Sequence, residues 1–460
     1  MALGAEELDF RFSVIQTPVG YRAFDEGLSK LKQVTGRDHR AVQRYIVGIV
    51  AGGVPRNFLV AIRSLLDFRY LAQAPTFTTN SLDRVAQALQ TFHDNKVAII
   101  RHGVRNNWEI PKLELLQSVV PGIRQSGAPM QWTADVTEHA HVDEIKVPAR
   151  AGNNQNYYSQ IARHLDRLDK CFRFDLATYI EEHRSTDEGF IEDFEEDHEP
   201  DTEKLSISEY NTPTRPLMDY FSTSSALLEG SDPAAPKPFR TFATSTTAFH
   251  LATKPLSRLS VAEAAVKYDL PDLGPAISAF LAQQNGITVS LDTIKLQIWH
   301  NLRVQQRSYH SEELEPPQTL RANPPSTANP YGQYDSVIVG SQPDSDWPKH
   351  GLAGHSVVQL RMIFRPLHCD FFAAYVQRFN VGNLSAVTGM HLLKRAIRAN
   401  GERIGEVIPV TFIRSPAHLI PHFGTEAHSR LTKLSSYELS TEFWLNKYWS
   451  KEFYYALSPI

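Results

Sequence analysis

The sequence predicts an α+β protein in three parts: a helical N-terminal part over 1–184, an acidic, Ser/Thr/Pro-rich disordered linker over 185–258, and an antiparallel β-rich accessory domain over 259–460. Three observations predict this. Apolar residues before residue 184 recur at three- and four-residue steps, those in the final third alternate, and the stretch between carries few periodic apolar positions.

In chain order, Thr35 with Asp38 three residues later forms a capping-box pattern. Val42, Tyr45, Ile46 and Ile49 then keep helical spacing until Gly52 and Gly53. Pro55 suits the first turn of a second helix, with Phe58, Ile62, Leu65, Leu66 and Tyr70 on its apolar face. A third helix begins after Asn80 or Ser81 and turns Leu82, Val85, Leu89 and Phe92 inward, and such short connections imply a compact bundle. Leu113, Leu115, Leu116, Val119 and Val120 extend it until Pro121 and Gly122 break the helix. A cluster of acids and imidazoles follows: Asp135, Glu138, His139, His141, Asp143 and Glu144. It precedes a long amphipathic helix striped by Ile161, Leu165, Leu168, Phe172, Leu176 and Ile180, with Asp166–Lys170 and Asp169–Arg173 as surface pairs. Cys171, within this helix, is expected to be a packed thiol.

The run DEGFIEDFEEDHEPDTE and the polar stretch after it cannot bury enough surface to offset chain entropy, so the linker is expected to be a solvated spacer. Ser260 and Glu263 open another capped helix, VAEAAVKYDL, and LPDLGPAISAFLAQQNG supplies its neighbour. The second of these has almost no basic residue, a poor match to a DNA-reading helix. Ile294, Leu296 and Ile298 then alternate with polar residues, as do Val358, Leu360, Met362 and Phe364. With YDSVIVG, FFAAYVQRFN and EVIPVTFIR they predict at least five strands in an antiparallel sheet or small barrel. The aromatics of FWLNKYWSKEFYYAL are expected to pack on that sheet with Lys447 and Lys451 pointing outward.

A net charge of -4 supplies no global attraction to nucleic acid, so such contact requires local basic patches. The candidates are Lys146 and Arg150 in KVPAR, and Lys394, Arg395, Arg398 and Arg403 in LLKRAIRANGER, read as a short helix ended by Gly401. Two cysteines exclude a disulfide framework and a four-thiolate zinc site. The N-terminus lacks a secretory pattern and IVGIVAGGV is too short and Gly-rich to span a bilayer, so an intracellular protein with no membrane partner is expected. GxSxG, Walker A, dinucleotide and HExxH motifs are absent. The acid and histidine cluster leaves three readings open. His139 and His141 on one strand face could hold zinc with Asp135 or Glu138; Glu138 could bind a metal weakly with Asp135 or His141; or Glu138 pairs with Lys146 or Arg150 while His141 is partly buried.

TEHAHVDEIK and KVPARAGNNQNYYSQIARHLDR resemble the C-terminal part of fungal Plavaka-type transposases, relatives of the Kyakuja, Dileera and Zisupton elements. GRDHRAVQRYIVGIVAGGVPRNFLVAIRSLLDFRYLA, IRHGVR, EVIPVTFIRSPAHLIPHFG and STEFWLNKYWSKEFYYALS resemble them too. The resemblance implies a ribonuclease-H-like fold in which three carboxylates hold two Mg2+ or Mn2+ ions, two acids on strands and the third on a helix after a helical insertion. Glu138 matches the third acid, and the residues before it match the insertion. The strand-borne aspartates are then expected upstream of Met1, because Asp9, Asp67 and Asp83 lack the β-branched context of a buried strand. Glu114, in IPKLELL, stands where relatives carry a histidine. The implied protein is a nuclear transposase remnant, catalytically incompetent and without a cofactor by itself, that binds DNA or transposase subunits. The alternative is a host-recruited module that binds host proteins.

Overall fold

Side-chain caps set where several of the helices begin. The structure, a computed structural model, describes residues 3–153, 155–184, 218–230, 238–285, 291, 294–311, 313–342, 347, 351–367 and 369–458. Helix α1 is Ala5–Val14, and α2, Gly36–Val50, opens on a reciprocal cap between Thr35 and Asp38. Helix α3, Arg56–Leu71, starts just after Pro55, which is its N-cap. Helix α4, Thr79–Asn95, is capped by Thr78 and Ser81, so it begins a residue or two earlier than its apolar pattern suggests. Short helices α5 (Val97–Arg101), α6 (Pro111–Leu115) and α7 (Val119–Ser126) follow. Pro121 and Gly122 do not break α7: Pro121 lies in the first turn, where a missing N–H costs little, and Gly127 at φ +84° ends the helix.

The next described elements are α8 (Asp135–His141), a π-type turn over Val142–Lys146, α9 (Val147–Ala151) and α10 (Tyr157–Arg184). Pro148 accounts for the widened turn: it has no N–H to offer the residue four back, and the Val147 N–H reaches Val142 O instead.

Regular structure resumes among the described residues well before residue 259. Helix α11 is Tyr220–Glu229, and strands β1 (Thr241–Ala243), β2 (Thr247–His250) and β3 (Ser257–Ser260) precede α12 (Val261–Tyr268) and α13 (Leu273–Asn285). The expected linker therefore does not extend to 258: Gln305, buried in the sheet, accepts from Tyr220 N–H and donates to Met218 O, tying this stretch down. The acidic run itself lies outside the described residues.

Strands β4 (Lys295–Trp299), β5 (Asn301–Gln306), β6 (Gln318–Asn323), β7 (Gln333–Tyr334), β8 (Ser336–Gly340), β9 (His355–Pro366), β10 (Ala373–Leu384), β11 (His391–Arg395), β12 (Gly405–Pro409), β13 (Ile413–Ala417) and β14 (Leu419–Pro421) continue the chain. Helix α14 (Ser436–Leu439), β15 (Glu442–Leu445) and α15 (Lys451–Leu457) complete it. The strands pair antiparallel in two sheets, one in the order β1-β2-β5-β6-β7 and one in the order β13-β8-β9-β10-β11-β15-β14. In the larger sheet β12 also pairs with β10, and β3 with β4, which pairs with β9; as paired, neither sheet closes into a barrel. The alternating segments predicted as strands are strands, except that EVIPVTFIR is split by a 3-10 turn, Val410–Phe412, into β12 and β13. LLKRAIRANGER is not a helix: it ends β11 and turns back through a bridge between Ile397 and Arg403.

Residues 1–128 and 218–460 form one compact unit and residues 129–217 a second, a division unlike the expected boundaries at 184 and 258. In the first unit a single core contains Phe12, Tyr45, Ile49, Phe58 and Tyr70 from the N-terminal helices together with Ile420, Tyr448, Tyr454 and Tyr455 from the C-terminal end. Gly48 permits this approach: a Cβ there would lie 2.7 Å from Ile420 Cδ1. Helices α12 and α13 pack on the larger sheet through Tyr268, Leu273, Ile277 and Leu281.

Candidate functional site

The predicted acid cluster lies in the second unit, where Asp135, Glu138, His139 and His141 belong to α8 rather than to a strand. The strand-based zinc reading loses its premise, because this segment is helical. Glu138, His141, Lys146 and Arg150 are exposed. Among the described residues no group of three His, Cys, Asp or Glu side chains could hold a metal ion.

The acids considered upstream are all helical. Asp9, on α1, accepts from Leu28 N–H at 2.7 Å and Ser29 N–H at 3.0 Å, fixing a loop. Asp83, on α4, lies 3.8 Å from Arg124 across solvent-exposed surface. Glu114 is exposed on α6.

The basic run near residue 400 is largely neutralised within the fold. Lys394 pairs with Glu442 at 2.7 Å, Arg398 with Asp272 at 2.8 Å and Arg403 with Glu438 at 2.5 Å. Arg395 is buried, donating to Gln359 Oε1 at 3.0 Å, to Ser440 O at 3.0 Å and to Tyr437 O, which removes it as a phosphate contact. Burial, then the neighbouring Arg403, pushes its pKa down to about 9. Burial raises the Glu438 pKa, but Arg361, Arg403 and Arg395 outweigh it and hold the carboxyl below its usual value. These arginines serve the sheet, because a buried carboxylate needs paired donors.

A different basic surface forms where the N-terminal helices meet the C-terminal end. Asp67 on α3 is its hub: it accepts from Tyr448 Oη at 2.9 Å, Tyr454 Oη at 3.2 Å and Arg63 Nη1 at 2.7 Å, with Lys447 Nζ at 3.7 Å. Tyr70 Oη donates to Tyr448 O at 2.6 Å and Tyr455 Oη donates to Tyr70 O at 2.8 Å. Lys447 is thus buried, not outward, and burial lowers its pKa further than Asp67 restores it, with Arg63 and Arg84 adding repulsion. On the same helices burial lowers the Arg69 pKa, and Arg44 and Arg40 lower it again as like charges. Arg40, Arg44, Arg63, Arg69 and Arg84 are all half-buried. Arg44 also covers the Tyr21 ring at 4.6 Å. The sequence carried a signal for this belt: Arg37, Arg40 and Arg44 recur at helical spacing in GRDHRAVQRY.

Around the belt, two buried side chains join distant segments. Arg11 donates to Ile49 O at 2.9 Å, Gly424 O at 3.1 Å and Thr425 O at 3.0 Å. His418 Nε2 donates to Gln16 O at 3.0 Å, leaving Nδ1 to accept from the Asn446 amide at 2.9 Å, which also donates to Arg44 O. Burial pushes the His418 pKa down to about 4.

No described helix is long and apolar enough to cross a membrane. A family model described as a domain of unknown function, DUF6830, matches residues 221–393, from α11 to β11. Neither the curated proteins nor the solved structures contain a match to the chain.

Proposed function

We propose that this chain is a Plavaka-like transposase segment that works as a nucleic-acid-binding component in the nucleus, with duplex DNA or transposase subunits as partners and no cutting activity by itself. The observation that carries the reading is the basic belt of Arg40, Arg44, Arg63, Arg69 and Arg84. It is built on α2, α3 and α4, with Arg40, Arg44 and Arg69 as one set of neighbouring like charges and Arg63 and Arg84 near Asp67 and Lys447 as another, and it repeats the sign of charge a phosphate backbone requires. Two further features support it. The segments 36–72, 406–424 and 440–458, each of which resembles the transposases, are far apart in sequence yet meet in one core. Glu138 lies on a helix with its carboxylate open to solvent, as the third acid of a ribonuclease-H-like centre would. Two Mg2+ or Mn2+ ions would need carboxylates from beyond the described residues, supplied by another segment or subunit.

The test is duplex-DNA affinity as a function of salt. The native chain is expected to lose affinity steeply as salt rises, and Arg40→Ala with Arg44→Ala to flatten the log–log slope by about 2. A salt-independent or undetectable interaction overturns the reading. Metal-dependent nicking by the native protein that Glu138→Ala abolishes would overturn the claim that it does not cut. A second reading, a host-recruited protein-binding module without DNA affinity, is favoured by the uncovered apolar surface of α10.

A further inference from the structure

Helix α10 is 28 residues long, about 42 Å at the usual rise. Its first third is covered, with Ile161 buried and Leu165 half-buried. Beyond that the apolar stripe lies open: Leu168 is 51% exposed, Phe172 49%, Leu176 46% and Tyr179 58%. Eleven-residue spacings link Ile161 to Phe172, Leu165 to Leu176 and Leu168 to Tyr179. Such a repeat is close to the natural pitch of an α-helix, so the stripe runs nearly straight along it.

The stripe reads the same in both directions from Phe172. Leu168 and Leu176 lie four residues to either side, and Leu165 and Tyr179 seven. We propose that α10 pairs antiparallel with α10 of a second copy of this chain, about a two-fold axis at Phe172. That register sets Phe172 on Phe172, Leu168 on Leu176 and Leu165 on Tyr179, a self-complementary surface of the kind a two-fold interface requires. The flanking charges fit the same occupant. Asp169 and Arg173, an ion pair at 2.9 Å within one helix, share one flank, so antiparallel pairing brings each Asp169 toward Arg173 of the other copy. Burying these side chains on both copies removes on the order of 1,000 Å² from water, at the lower end of specific interfaces. The inference requires neither DNA nor a host protein, and it assigns to a second copy the α10 surface that the second functional reading would give to a host protein.

Cys171, exposed and one residue from the proposed axis, provides the readout. In the antiparallel pair the two Cys171 side chains lie on the same flank, whereas in a parallel pair they lie on opposite flanks. The experiment uses the full chain carrying Cys369→Ser, with sedimentation to measure dimerisation and a short bis-maleimide to link Cys171 to Cys171. A concentration-dependent dimer that cross-links is expected. Phe172→Glu should weaken dimerisation at least about tenfold and abolish the cross-link, while at concentrations where both proteins are monomeric its melting curve matches the native one, because the side chain is exposed in the single chain. Phe174→Glu, on the opposite side of the helix and 71% exposed, should change neither. A monomer up to about 100 µM, a dimer without the cross-link, or equal sensitivity to both variants overturns the proposal.

Discussion

Two helical regions with the same kind of apolar periodicity end in opposite environments. In α2 and α3 the periodic residues Tyr45, Ile49, Phe58 and Tyr70 are buried against the C-terminal β14 and α15 segments, and polar groups inside that seam are bonded across it. In α10 a stripe of equal quality faces solvent over most of its length, and its ion pairs, Lys170–Asp166 and Arg173–Asp169, join residues of one helix. The difference teaches that periodicity specifies a helix and the direction of its apolar face, but not what covers that face. The first region gains its stability from contacts between residues hundreds of positions apart, the second from local ones.

That contrast makes the stability of the first region sensitive to single side chains and that of the second insensitive to its surface pairs. The largest effect is expected at Asp67. Asp67→Ala removes the acceptor shared by Tyr448 and Tyr454 and leaves buried Lys447 without its nearby carboxylate, at a cost of about 3–5 kcal/mol in denaturant unfolding. A loss no larger than that of a surface substitution would break the comparison.

His418 sharpens it through pH. Its folded pKa, about 4, lies below the ordinary 6.5, so between those values the unfolded chain binds the proton and the folded chain does not. The stabilising contribution is therefore complete above about pH 6.5 and is lost as pH falls toward about 4, a change of about 3 kcal/mol. Urea midpoints measured across that window should fall with pH in the native protein and fall less in His418→Gln, which keeps a donor and an acceptor but does not titrate. An equal fall in both would remove His418 from the seam's pH response.

The smallest effect belongs to α10. Lys170→Ala breaks an exposed pair at 2.7 Å and is expected to change stability by less than about 0.5 kcal/mol, measured by the same unfolding curves. A larger loss would mean that the second region depends on its surface pairs after all.

Much of the secondary structure was legible in the chain because its causes are local. Thr35 with Asp38, and Ser260 with Glu263, cap helices through bonds spanning three residues, and the alternation through Val358, Leu360, Met362 and Phe364 marks a strand whatever it pairs with. The candidate site was less legible. Arg395 and Arg403 read as exposed cations because nothing in their neighbourhood reveals that Glu438, Gln359 and Tyr437 fold over them. Lys447 read as outward, and Cys171 as packed, for the same reason: the expectation used near neighbours only. The stretch from 218 to 258 read as a spacer because its strands are short and its few apolar residues are buried by partners such as Gln305 and Phe372, far along the chain.

The sequence by itself determined the α+β class, the starts of helices with a capping box such as α2 and α12, and the faces of strands with clear alternation, since capping and side-chain alternation act over a few residues. Only the tertiary structure decided that residues 1–128 fold with 218–460, that the basic run near residue 400 is largely neutralised within the fold, and that Arg69 lies beside Arg40 and Arg44 while Arg63 pairs with a buried Asp67. Those outcomes depend on which distant surfaces exclude water from each other, and charge, burial and pKa are set by that exclusion rather than by residue type.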